Sequence, residues 1–312
     1  MLDDASKKKL LDIIKKAETY KKEKYSIENM RAMLGAEPWD SALVLNLYMR
    51  NFINMTELLH DHSGYKVYIS LLEFFSLFRH SEDIYKSIMI KRDDCLKDYF
   101  SQDITNATEK HNQLIDTQEV INLMFFQYAS TSFAIIESES RLQEKFAIDK
   151  EKISNIFDNI LNNGCHRAII FLRHKLNHGK RIKISHRCSI DWRKDSHNID
   201  FIFDREAIVS IKLEGSNDKK AVEYLLSNST SVIKLLDEHI KMLKKFCIEI
   251  YSTIFDEHKN SILQCNDLCK AIIKMQETQF HAIAKSIGKE FPVRAIDETE
   301  TYYIERMIGG RA

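Results

Sequence analysis

Only 8 glycines and 2 prolines punctuate 312 residues. These are the residues that most readily stop or kink a helix. A chain with so few interruptions is expected to run in long helices. With 44% hydrophobic and 29% charged residues it has side chain enough for both a core and a solvated surface. The expected fold class is therefore mainly α, a helical bundle.

Apolar spacing divides the chain into an N-terminal helical region, 1–100, a bundle over 101–288, and a tail, 289–312. Within the first region helices are expected over 3–24, after Ser26 up to Gly35, and over 38–60, where Pro38 suits a first helical turn. After a break at Gly64, a further helix is expected from a Ser81 cap to about 100. The bundle is expected to contain helices at 116–146, 149–162 and 165–178, then at 217–256 and 260–287. Asn163-Gly164 has the composition of a left-handed helix end. At about 181–213 the period shortens. RIKISHRCSIDW alternates apolar and polar positions, and DFIFDREAIVSIKL is rich in β-branched and aromatic residues. A small antiparallel β insertion is expected there.

The N-terminal stretch MLDDASKKKLLDIIKKAE lacks the apolar core of a signal peptide. The most apolar run, VINLMFFQYASTSFAII, is too short for a membrane span and is broken by Asn, Gln and Ser. Six scattered cysteines fit free thiols in a reducing compartment. The expectation is a soluble, cytoplasmic protein with no membrane partner. There is no Gly-rich phosphate loop, no GxSxG and no carboxylate cluster with two-metal spacing.

Net charge is zero, yet residues 165–194 carry nine Lys and Arg against a single acid, Asp191, a local +8, together with four histidines. A confined basic patch on a neutral chain fits a confined anionic ligand better than a long duplex footprint. At its centre lies FLRHKLNHGK, which places Arg173, His174, Lys175, Asn177 and His178 on a helix that ends near Gly179. Three Arg–His pairs have similar spacing: Arg167 with His174, Arg173 with His178, and Arg181 with His186. Only Arg173–His178 follows hydrophobics, has a polar residue after the arginine and closes on Asn-His-Gly.

LRHKLNH resembles the Arg-x4–6-His signature of HEPN-type proteins, small helical bundles that include many metal-independent ribonucleases of toxin–antitoxin and phage-defence systems. The resemblance covers the motif and the helix–motif–hairpin–helix order of about 116–287. It departs from the commoner pattern in having His174 directly after the arginine. It implies an endoribonuclease needing neither metal nor other cofactor, acting on RNA, tRNA among the candidates, as a homodimer, with an antitoxin or sensor protein as a further partner. By the same resemblance Arg173 would hold the scissile phosphate and His178 would act as acid and base. Asn177 and His174 would position the scissile group, and Glu137 or Glu139 would orient the arginine. Lys175, Lys180, Arg181 and Lys183 would meet the RNA backbone. The residue chemistry suits those roles: imidazole titrates near neutrality, and a guanidinium matches phosphate oxygens.

Two other readings compete. A catalytically inactive HEPN-like helical module would bind a nucleotide, RNA or protein partner. A zinc hydrolase would use His174 and His178 at i, i+4, with Cys165, His166, His186 and Cys188 near in sequence. It lacks the glutamate of HExxH and any CxxC pair, and the surrounding positive charge disfavours a dication.

Overall fold

The computed structural model describes residues 59–100, 107–177, 183–191, 196–228 and 230–286. The helices expected within 1–58, the tail 289–312, and His178, Lys180 and Arg181 lie outside the described residues. The architecture is mainly α with one small antiparallel sheet. Its elements are α1 (Ser63–Tyr99), α2 (Ala107–Phe146), α3 (Lys150–Ile160), α4 (Gly164–Asn177), β1 (Ile184–Asp191), β2 (Ser196–Phe203), α5 (Arg205–Val209), α6 (Ser216–Asn228) and α7 (Val232–Ser286). No helix among the described residues is long and apolar enough to cross a membrane.

The chain divides into two compact units, Leu71–Ile254 and a second made of Met1–Ser70 with Phe255–Ala312. In the second, α1 approaches α7 closely: a Cβ at Gly64 would sit 2.0 Å from the Ser261 backbone oxygen. Only glycine fits such an approach, so Gly64 serves packing, and the expected break falls two residues earlier, at His62, between helical residues 59–61 and the start of α1.

The unit Leu71–Ile254 holds the motif helix. Its core includes a stripe on α2, with Leu114, Ile121, Phe125, Tyr128, Ser132 and Ile135 all at 1% exposure or less. Their spacing of three, four and seven residues keeps them on one helix face. The apolar pattern Ala168, Ile169, Leu172 and Leu176 predicts the inner stripe of α4; the first three are buried, Leu176 is half-buried, and Cys165 and Phe171 join them. Truncating Leu172 to alanine in such a core would cost about 2–5 kcal/mol.

Several expected boundaries are corrected. α1 runs unbroken from Ser63 to Tyr99, and Ser81 is fully buried within it, not a cap. α2 starts at Ala107, earlier than the apolar run suggests. α3 ends on Leu161 in a right-handed conformation, φ −103°. The left-handed residue is instead Ala147, φ 53°, just past the end of α2. Asn163 starts a helix rather than ending one. Its side-chain oxygen accepts from the His166 N–H at 3.0 Å, and its amide donates to the Ile160 carbonyl at 2.8 Å. Gly164 is needed for space, because a Cβ there would lie 2.5 Å from the Tyr224 ring.

The two strands pair antiparallel from Ile184↔Phe203 to Asp191↔Ser196. Ile184, Ile199, Phe201 and Phe203 face the core, and Phe203 meets Phe125 edge-on at 5.1 Å. The strand expected to reach residue 213 stops at Phe203. Asp204 then caps α5 by accepting from the Glu206 and Ala207 N–H groups. The helices expected at 217–256 and 260–287 become α6 and one 55-residue α7. Ser231 caps α7, its Oγ accepting from Lys234 N–H at 3.3 Å and donating to Asp200 at 2.6 Å.

Candidate functional site

Helix α4 carries charged chemistry at its C-terminal end. Arg173 lies against α2 with its guanidinium carbon 3.7 Å from the centre of the Phe133 ring. A cation–π contact at this distance holds the guanidinium against the ring without neutralising its charge. The Arg173 Nε is buried and has no hydrogen-bond partner. Neither expected orienting carboxylate pairs with it among the described residues. Glu137 is exposed. Glu139 is buried, one of its oxygens lacks a partner, and burial pushes its carboxyl up to about 6. The orienting contact is therefore an aromatic ring, which charge-based reasoning missed. Phe133 could have been found only as the aromatic position of α2 that α4 crosses.

On the other flank of α4, Lys175 is 2% exposed. Its ammonium lies 3.1 Å from Asp218 Oδ2 and 3.5 Å from Glu214 Oε1. The angles are not those of hydrogen bonds, so the attraction is Coulombic, and it ties α4 to α6 and its leading loop. The role expected of Lys175 on an RNA backbone is not what its placement serves, since its charge is spent inside the protein. His174 is exposed, with Nε2 4.0 Å from Glu214 Oε2. Asn177 is the last residue of α4. Lys183 is exposed immediately before β1, and Arg187 is exposed on it.

The N-terminal end of α4 is different. His166 Nδ1 is 3.0 Å from His239 Nε2 on α7, and His239 Nδ1 is 2.8 Å from the Tyr128 hydroxyl on α2. The two imidazoles are stacked at 10° with centroids 5.3 Å apart, and Phe157 meets His166 edge-on. A neutral imidazole offers one donor and one acceptor, so each contact holds one proton and the chain Tyr128–His239–His166 runs in one direction. Burial drives His166 down to about 4, with Arg167 adding to the effect. Burial likewise drives His239, which is fully enclosed, well below the ordinary value, and His166 adds to that. Sequence reasoning missed this chain as a unit. The available signal was His239 within the apolar stripe Leu235, Leu236, Ile240, Leu243.

The residues near in sequence that a zinc site would recruit are dispersed. Cys165 donates to the Leu235 carbonyl, His166 faces His239, and His186 contacts Gln118. Among the described residues no group of three or more His, Cys, Asp or Glu is arranged to hold a metal ion. Compared with known protein families, curated proteins and solved structures, the chain matches none.

Proposed function

We propose that this protein is a metal-independent endoribonuclease of HEPN type, acting in phage defence or as a toxin. The observation that carries the reading is Arg173, whose guanidinium carbon lies over the Phe133 ring, 3.7 Å from its centre. No described carboxylate neutralises it, and it stands one turn before the end of α4. A preorganised, unneutralised arginine suits the charge that develops on a phosphorane in the transition state. His178, next in sequence after α4, would take the proton from a ribose 2′-hydroxyl. That oxygen attacks the adjacent phosphorus, the bond to the 5′-oxygen breaks, and the departing oxygen takes up a proton. The products are a 2′,3′-cyclic phosphate and a 5′-hydroxyl. Five residues separate Arg173 from His178, roughly 140° on an ideal helix. The two would meet on one phosphate by a change of course after Asn177, or by sharing between two copies in a homodimer.

A second reading is a binding module that keeps the arginine without the chemistry. It is favoured by the burial of Lys175 in an internal ion pair. The test is incubation of purified protein with end-labelled tRNA and total RNA in excess EDTA, beside Arg173→Ala and His178→Ala. Cleavage by the wild type alone, leaving 2′,3′-cyclic phosphate ends, supports the nuclease. Binding by the wild type without cleavage supports the module.

A further inference from the structure

We propose that Glu214 is a charge gate on the motif helix: its carboxylate occupies the position of a second RNA phosphate beside His174, and RNA binding displaces it. The inference rests on the nuclease reading and extends it to a neighbouring phosphate of the same strand.

The geometry is local and specific. One oxygen of Glu214 faces His174 Nε2 at 4.0 Å and the other faces Lys175 Nζ at 3.5 Å. A carboxylate is thus already docked beside the exposed His174 ring and the buried Lys175 ammonium, next to Arg173 in the chain. Its side chain is 62% exposed, so it can leave without unpacking the core. Its departure does not strand a buried charge, because Asp218 remains 3.1 Å from the Lys175 ammonium. The backbone can also stay in place, since the Glu214 N–H donates to Asp218 Oδ2 at 3.2 Å independently of the carboxylate. Gly215 follows, and a Cβ there would meet nothing within 4 Å, so the space around the strap is open. A side-chain swing alone would exchange the carboxylate for a phosphate of like charge.

Such a contact is linked to ligand binding by mass action: whatever the carboxylate gains at His174 is subtracted from the affinity of the incoming phosphate. The test uses the full chain and a labelled single-stranded 2′-O-methyl oligoribonucleotide, which keeps the phosphates but lacks the attacking hydroxyl. Affinity is compared for wild type, Glu214→Gln, Arg173→Ala and Glu223→Gln. The last removes an equal charge from the exposed face of α6. The expected result is roughly 5-fold tighter binding by Glu214→Gln, with Glu223→Gln close to wild type and Arg173→Ala weakened. If Arg173→Ala weakens binding while Glu214→Gln matches wild type, or Glu223→Gln tightens as much, the gate is overturned and the nuclease reading stands. If Arg173→Ala binds as well as wild type, the phosphate role of Arg173 falls, and the gate with it.

Discussion

Eight positions apart on the 14-residue helix α4, His166 and His174 sit in opposite surroundings. His166 is 5% exposed and joined to a second imidazole and a tyrosine. His174 is exposed among charges. The same side chain serves cohesion at one position and electrostatics at the other, because His166 faces α7 in the core whereas His174 lies on the exposed side of α4, between half-buried Arg173 and buried Lys175. Burial decides the difference: an uncharged imidazole is tolerated inside, whereas an imidazolium is not. The lesson is that a histidine-rich helix is not a functional unit along its whole length.

The largest test of that contrast is acid. His166 and His239 have folded values below the ordinary 6.5, so the unfolded chain binds the extra protons as pH falls. Their contribution to stability is intact above pH 6.5 and is lost as pH drops towards 4. For His166 alone the loss approaches roughly 3 kcal/mol. Glu139 acts in the opposite sense, because its raised value penalises the folded state as pH rises through 6. Urea midpoints between pH 7.5 and 4.5 should therefore fall for the wild type. They should fall more steeply for Glu139→Gln, which removes the compensating group.

Next in size is Gly164→Ala. The Tyr224 ring stands 2.5 Å from the added Cβ, so the start of α4 must shift, at about 1–3 kcal/mol in thermal or chemical melts. A neutral outcome would mean that the buried end of α4 is less tightly set than its contacts imply.

Phe133→Leu addresses the charged end. It keeps apolar volume but removes the face on which Arg173 rests. On the proposed nuclease reading cleavage should fall about tenfold, some 1.4 kcal/mol, with little change in melting. Smallest is Tyr128→Phe, which deletes the hydroxyl at 2.8 Å from His239. One hydrogen bond of this kind is worth about 1 kcal/mol, visible in melts and absent from cleavage.

Much of this was legible in advance, and the failures have physical causes. The dearth of glycine and proline foretold long helices, and it applied more strongly than expected: no glycine or proline lies between Val232 and Ser286, and α7 does not break. The charged run DEHK at 256–259 reads as a loop only if a solvated face is mistaken for a turn. DREAIV has strand composition, yet Asp204 caps a helix there, local capping overriding β propensity. Arg173 was visible in the motif, whereas its support by Phe133 and the internal pairing of Lys175 depend on contacts with α2 and α6, which no local pattern encodes.

The most direct test is Arg173→Ala assayed twice on one preparation, for RNA cleavage in excess EDTA and for thermal unfolding. If the charged end of α4 acts on phosphate while the buried end holds the fold, the wild type cuts. The variant then loses about 100-fold or more of that cleavage, with a melting temperature close to wild type. A variant that still cuts as the wild type does, or a wild type that binds RNA without ever cutting it, would contradict the account.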